Sequence, residues 1–244
     1  MEKFKKGMFW LKNYIRGIKD GLPICLGYIS VSFAFGLMAS RGGLSVLSSV
    51  LISLTNLTSA GQFAGLEIIT ATGTLLEIAF ATLIINLRYF LMSLSLTQRF
   101  DSSTGTLKRL VMSFGITDEI FAVSMQRTFP LTFVYFLGLM TLPIVGWSFG
   151  TFLGAFASSL LPEIVRLSLG MAIYAMFIAI IIPPAKKSKP ILNIILIAVA
   201  ISTFFYVTPV INNISGGWRI IISTVIASGI GAWLYPEKED EKNE

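Results

Sequence analysis

Residues 44–71 read LSVLSSVLISLTNLTSAGQFAGLEIITA, an apolar stretch long enough to cross a bilayer, with the small and polar run Thr58-Ser59-Ala60-Gly61-Gln62 at its middle. Lipid offers no hydrogen-bond partner, so such a run at bilayer depth marks a transport path or a helix-helix contact. Unwinding the backbone at Gly61 would free N–H and C=O groups for a ligand or a neighbouring helix. The stretch therefore reads either as a broken helix that crosses or as a re-entrant hairpin that does not. Working outward, two similar clusters follow. Asn86-Leu87-Arg88 lies inside the apolar span 74–97, and Thr117-Asp118-Glu119 occupies the centre of residues 110–128, which carry the same ambiguity.

The rest of the chain sets these clusters in a membrane. Hydrophobic residues make up 54% of the 244 and charged residues 13%. Soluble domains carry about 25% charged residues, so this chain lacks the polar surface to be one. The expected fold class is all-α, a polytopic helical membrane protein with broken or re-entrant helices. Apolar spans run over 21–39, 44–71, 74–97, 132–157, 164–183, 190–208 and 217–235. The 30 aromatic residues (19 Phe, 7 Tyr, 4 Trp) suit lipid-facing and interfacial positions. Three divisions follow: a basic amphipathic N-terminus over 1–20, one transmembrane domain over 21–235, and an acidic cytoplasmic tail over 236–244.

Within the first division, Phe4, Met8, Leu11, Ile15 and Ile18 recur at helical spacing among lysines and arginines, as in a helix lying on an anionic leaflet. A basic start before an apolar run is also the plan of a signal peptide. The run 21–39 is longer than a signal core and further spans follow, so retention as a first transmembrane helix is expected.

The net charge of +6 is clustered before the first span and in the loop Lys186–Lys189. That is the pattern of the positive-inside rule, and it leaves no basic face for nucleic acid. It places the N-terminus, the loop 186–189 and the C-terminus in the cytoplasm of a cell (inner) membrane protein. Eight passages result if both irregular regions cross, six if neither does. The loop with Arg99, Lys108 and Arg109 is cytoplasmic only in the six-passage version, so the charge rule favours re-entry.

Packing has its own signature. Gly146, Gly150, Gly154 and Ser158 are spaced four apart on one helix, and Ser223, Ala227 and Gly231 repeat the pattern near the end of the chain. Small-xxx-small stripes let helix backbones approach closely, within one chain or between chains. Ser32-Phe33-Ala34-Phe35-Gly36 echoes Ser148-Phe149-Gly150-Thr151-Phe152, which leaves a fold of two repeats open.

Each polar cluster has two readings. Thr58, Ser59, Gly61 and Gln62 line a substrate site, where helix N-termini attract a carboxylate, or they form a kink with Gln62 bonded to a neighbouring helix. Arg88, central in its span, costs at least ~2.5 kcal/mol to insert and needs a partner. Glu77, eleven residues earlier on the same helix, stands about 16 Å away, too far to serve. Glu67, Asp118, Glu119 or a ligand carboxylate must then meet Arg88, unless the arginine simply ties helices together. Asn86 projects from a different face. Asp118 and Glu119 point about 100° apart, so they do not share a proton with each other. One carboxylate can face Arg88 and the other a hydrated path, or both can sit exposed on a connector. With no histidine in the chain, carboxylates (Asp118, Glu119 or Glu67) are the available proton carriers.

The order of Ala60-Gly61-Gln62-Phe63, Asn86-Leu87-Arg88 and Thr117-Asp118-Glu119 behind a Gly-rich first helix resembles the AzlC family, the large subunits of two-component branched-chain amino acid exporters. The resemblance covers most of residues 20–185. It implies proton-driven export of small hydrophobic amino acids, with a small, separately encoded AzlD-like membrane subunit as partner. In that family His commonly follows the Asn-Leu-Arg run, where this chain has Tyr89. The polar clusters themselves put forward Thr58, Ser59, Gly61, Gln62, Asn86 and Arg88 as the substrate residues. Without the resemblance, a channel or a non-transporting scaffold remains the alternative. No enzyme, metal or cofactor is expected. The missing histidine removes Ser-His and Cys-His dyads, the single Cys25 offers no metal spacing, and no phosphate-binding Gly-x-x-x-x-Gly-Lys loop is present.

Overall fold

A computed structural model describes residues 2–101, 104–162, 164–165, 178, 181–208 and 214–236. Its helices, numbered along the chain, are α1 (Glu2–Arg41), α2 (Val46–Thr55), α3 (Ser59–Thr70), α4 (Leu75–Thr97), α5 (Thr106–Phe114), α6 (Asp118–Met125), α7 (Phe133–Ala157), α8 (Lys189–Val207) and α9 (Gly216–Leu234). Five of these, α1, α4, α7, α8 and α9, contain segments long and apolar enough to cross a membrane. The protein is an all-α polytopic membrane protein, as its composition requires. The expected span 164–183 lies mostly outside the described residues. So does the acidic tail beyond Pro236.

The chain divides into two units, Met1–Phe63 with Ile85–Gly170, and Ala64–Ile84 with Met171–Glu244. The first unit is built on α1 and α7. A Cβ added at Gly17 would strike the Tyr135 carbonyl, and one at Gly138 the Tyr14 carbonyl. At the other end, a Cβ at Gly36 would strike the Thr151 carbonyl and one at Gly154 the Phe33 carbonyl. Backbone thus meets backbone through reciprocal glycine pairs, and the stripe Gly146–Gly150–Gly154 packs within the chain, against Cys25, Ile29 and Phe33. Such close approach replaces the hydrophobic drive that lipid cannot supply. Helix α1 is continuous through residues 20–21, so its basic segment and first span form one rod, and Gly17 and Gly21 both join the seam.

Contacts advance in the same direction along both helices, from Gly17 with Tyr135 to Gly36 with Ala155, so α1 and α7 run parallel. Beyond α4, the chain leaves at Phe100 and returns at Leu131, and the two are paired: Asp101 N donates to Leu131 O (3.1 Å) and Leu131 N to Arg99 O (2.9 Å). Between these points, Lys108 of α5 stands over Phe133 at the start of α7, Gly115 lies against Met140, and Arg127 beyond α6 returns to Tyr135. The pair α5–α6 is therefore a re-entrant hairpin. Parallel α1 and α7 need an odd number of crossings between them, and α4 supplies one. It follows that α2–α3 makes no net crossing either. Arg99, Lys108 and Arg109 then fall on the side of the N-terminus, as the charge rule favoured.

Both hairpins turn on the same local plan. Asn56-Leu57-Thr58 separates α2 from α3, and Gly115-Ile116-Thr117 separates α5 from α6. Leu57 and Ile116 are buried in the core with Tyr28, Met112, Ile120, Phe136 and Trp147. Each following threonine accepts the first helical bond at its carbonyl, from Gln62 N (3.1 Å) and from Phe121 N (2.8 Å). The break in 44–71 thus falls at 56–58, just ahead of the run 58–62, most of which is already helical.

In the second unit, a Cβ at Gly231 of α9 would lie 2.7 Å from Ile194 of α8, so the second small-residue stripe also serves an intrachain contact. Ile68, Ala81 and Ile221 form its small core.

Two outcomes are expected. In a Cys25→Ser background, cysteines placed at Lys108 and Gln126 should react with impermeant maleimide from the same face of the membrane; reaction from opposite faces would disprove the hairpin. Gly154→Leu should destabilise the detergent-solubilised protein by about 1–3 kcal/mol through overpacking, whereas Gly27→Leu, where an added Cβ meets nothing within 4 Å, should leave thermal denaturation unchanged.

Candidate substrate site

The polar residues of the two breaks meet in the first unit. Arg88 on α4 pairs with Asp118 at the start of α6, Nη1 to Oδ2 at 2.9 Å, with 39% and 40% of the two side chains exposed. Its Nη2 donates to the Tyr89 hydroxyl (3.3 Å), Tyr89 donates to Thr58 Oγ1 (3.3 Å), and Thr58 donates to Asn86 Oδ1 (2.8 Å). The polarity of this relay is consistent from guanidinium to amide. Gly61 makes it possible: a Cβ there would press on Asn86 Nδ2 at 3.1 Å and Thr58 Cγ2 at 3.0 Å. Tyr89, at the position where the resemblance expects an imidazole, is an integral link of the relay.

A second relay ties the first break to α7. Trp147 Nε1 donates to Gln62 Oε1 (3.0 Å), Gln62 Nε2 donates to Ser53 Oγ (2.6 Å), and Ser53 stands 2.6 Å from Thr151 Oγ1. Gln62 is only 2% exposed, so both ends of its amide had to be satisfied by protein. A third set ties the second break to α1. The Tyr28 hydroxyl lies 2.5 Å from Glu119 Oε2 and 2.7 Å from Thr117 Oγ1. One phenol proton serves one acceptor; donation to the carboxylate leaves the Thr117 hydroxyl to donate back. Tyr28 and Trp147 meet edge to face, ring centroids 5.2 Å apart. Chain adjacency of Asp118 and Glu119, the Tyr28–Trp147 ring contact and the helical bond from Gln62 N to Thr58 O (3.1 Å) join the three sets, so Thr58, Tyr89, Arg88, Asp118, Glu119, Tyr28, Trp147 and Gln62 form one circuit around both helix breaks.

The circuit has a buried side and an accessible side. Gln62, Ser53 and Thr151 are buried and hydrogen-bonded to one another or to Trp147. Arg88, Asp118 and Glu119 are accessible, and Arg88 Nε has no hydrogen-bond partner. Charge midway along an apolar helix is held by pairing with an opposite charge, as Arg88 pairs with Asp118, or by facing a hydrated cavity. Of the residues singled out from sequence, Thr58, Gly61, Gln62, Asn86, Arg88, Asp118 and Glu119 are brought together, and Ser59 opens α3 beside them. Glu67 lies exposed on the part of α3 that belongs to the second unit.

Tyr28, Ser53, Trp147 and Thr151 were not among the candidates. Aromatic residues were assigned to lipid and interface, yet Tyr28 and Trp147 are 8% and 2% exposed. The available signal was their spacing: Trp147 follows Gly146 of the packing stripe, and Tyr28 precedes Ser32 by one turn.

Residues 23–161 match the family model described as AzlC protein. Among curated proteins, the chain is 30% identical to "Inner membrane protein YgaZ" of Escherichia coli over 184 residues, covering 72% of this chain and 75% of that one. It is 32% identical to an "Uncharacterized membrane protein" of Archaeoglobus fulgidus over 70% of this chain and 75% of the relative. The "Branched-chain amino acid transport protein AzlC" of Bacillus subtilis is 23% identical over 69% of this chain and 66% of that one. No solved structure matches the chain.

Replacing Trp147 by Phe keeps the aromatic contact and removes the donor to Gln62. The buried amide oxygen left behind should cost about 1–3 kcal/mol, read as a lowered midpoint of thermal denaturation in detergent. An unchanged midpoint would show that the bond carries no stability.

Proposed function

Because the chain belongs to the AzlC family, we propose that it is a secondary transporter exporting branched-chain amino acids across the cell membrane, with its N-terminus in the cytoplasm. Membrane transport is the coarse reading that the family and its Bacillus subtilis member support. The observation that carries the finer one is the Arg88–Asp118 pair, placed centrally on α4 and joined to both helix breaks.

In this mechanism Arg88, with its free Nε, competes between Asp118 and the substrate carboxylate. Thr58 and Asn86 hold the substrate's polar end beside the first turn of α3, whose N–H groups and positive dipole favour an anion. Gln62 keeps α3 against α7 and positions Gly61 and Asn86. Apolar neighbours then accept a Leu, Ile or Val side chain. Export draws on the proton gradient. When substrate displaces Asp118 from Arg88, the carboxylate loses its counter-ion and takes up a proton, with Glu119 beside it at the Tyr28 hydroxyl. Glu67 stays an outlying candidate carrier. A small hydrophobic subunit of the AzlD type completes the exporter. The reading as a channel or packing scaffold draws on the buried hydrogen bonds of Gln62, and counterflow separates the two, since a channel gives none.

Arg88→Ala and Asp118→Asn should each lower leucine efflux from loaded vesicles by about tenfold or more, the loss of one charge-assisted contact of roughly 1.5–3 kcal/mol. Efflux at the native rate in both variants would contradict the site.

A further inference from the structure

Helix α6 is held to α1 at two points. The inner one is Tyr28 with Thr117 and Glu119, part of the circuit. The outer one is a separate triad. Asp20 Oδ1 meets Arg127 Nη2 at 2.9 Å, the Tyr135 hydroxyl donates to Asp20 Oδ2 at 2.7 Å, and Arg127 Nε donates to the same hydroxyl at 3.2 Å. Arg99 donates in addition to the Arg127 carbonyl, which ties the end of α4 to the end of α6.

The two points have different settings. Asp20 precedes Tyr28 by eight residues on one continuous helix, about 12 Å along its axis. The triad therefore stands toward the face where α7 begins. On that side lies a cleft of about 700 Å3 lined by Gln98, Arg99, Asp101, Gln126 and Arg127. Arg16, Arg99, Lys108 and Arg109 crowd the same end, stacked on Phe129, Phe100 and Phe133 or bonded to backbone. Asp20 is the acid that draws Arg127 away from these cations onto the α1–α7 seam.

We infer that the Asp20–Arg127–Tyr135 triad is a latch: while it is made, α6 stays packed between this cleft and the polar circuit, and its release opens a path from one to the other. Its physical character suits a gate better than a fixed tie. Asp20 and Arg127 remain 19% and 31% exposed, so water reaches the ion pair and can replace it, while Tyr135, fully buried on α7, stays in place as the post the latch closes against. The seam it closes against cannot yield, because glycine backbones fill it. The movable part is the short helix α6. It carries Glu119 at its inner end and ends at the latch, so release of Arg127 lets α6 swing while Tyr28 still holds its start. The latch rests on the transport reading, since it governs access to that site.

The test uses no substrate, so a failed latch and a failed leucine transporter are separately visible. Ser124 lies on α6 between the two clamps, fully buried, its hydroxyl without a partner. In full-length protein in sealed vesicles, Ser124→Cys is placed in a Cys25→Ser background and labelled with impermeant maleimide from the N-terminal face. Adding Asp20→Asn or Arg127→Gln should speed labelling by about fivefold or more, the population shift that corresponds to one weak ion pair. The exchange Asp20→Arg with Arg127→Asp should return the slow rate. Native Cys25, buried in the seam, serves as control for unfolding and should stay unreactive in the Asp20→Asn protein. Equal labelling with and without the triad overturns the latch, as does failure of the exchange to restore protection. Reaction of native Cys25 in the Asp20→Asn protein, measured beside the faster labelling of Ser124→Cys, also overturns it, in favour of a structural tie.

Discussion

The contact of α1 with α7 is the constraint from which the rest of the molecule follows. Inside a membrane, two helices gain nothing by burying leucine against leucine, because lipid is already apolar; they gain by touching backbone to backbone. Gly17, Gly36, Gly138 and Gly154 allow this at both ends of a long seam. The seam runs parallel, and that orientation restricts the passages that can separate its two helices. With α4 as the one crossing between them, both polar interruptions must be hairpins whose tips end inside the protein.

Those tips are what a soluble protein would place in a loop. Here each tip buries one apolar residue, Leu57 or Ile116, and hands the following threonine to the polar circuit. Backbone irregularity at this depth survives where protein or water covers it. The circuit supplies the covering, and it is asymmetric. The Gln62 side is buried and hydrogen-bonded. The Arg88–Asp118–Glu119 side is accessible and holds its charges in pairs. A transporter needs both: a fixed wall, and a wall whose pairing can be exchanged for a ligand.

Much of this could be read from the residues. Residue spacing located the small-residue stripe on α7, and composition and charge fixed the membrane class and favoured re-entry. The clusters at 58–62, 86–88 and 117–119 were visible because each violates the hydropathy around it. What spacing left open was partnership. The period of α4 says which way Arg88 points but not which of three carboxylates it meets; that depends on how α6 is hung between Tyr28 and Asp20. Trp147 and Tyr28 were hidden for a related reason, since a lipid-facing aromatic and one donating into a core look alike in a chain apolar on all sides. Asp20 was masked by the basic residues around it, and the continuity of α1 by the change of composition at residue 20.

The central claim is that the accessible side of the circuit binds an amino acid. Its most direct measurement is ligand protection of Ser59→Cys, partly exposed at the first turn of α3, in a Cys25→Ser background, labelled with maleimide in vesicles. Saturating leucine should slow the reaction by about fivefold or more while lysine leaves it unchanged, as a site occupied more than about four-fifths of the time requires. Labelling at the same rate with and without leucine, in protein that folds normally, would contradict the account.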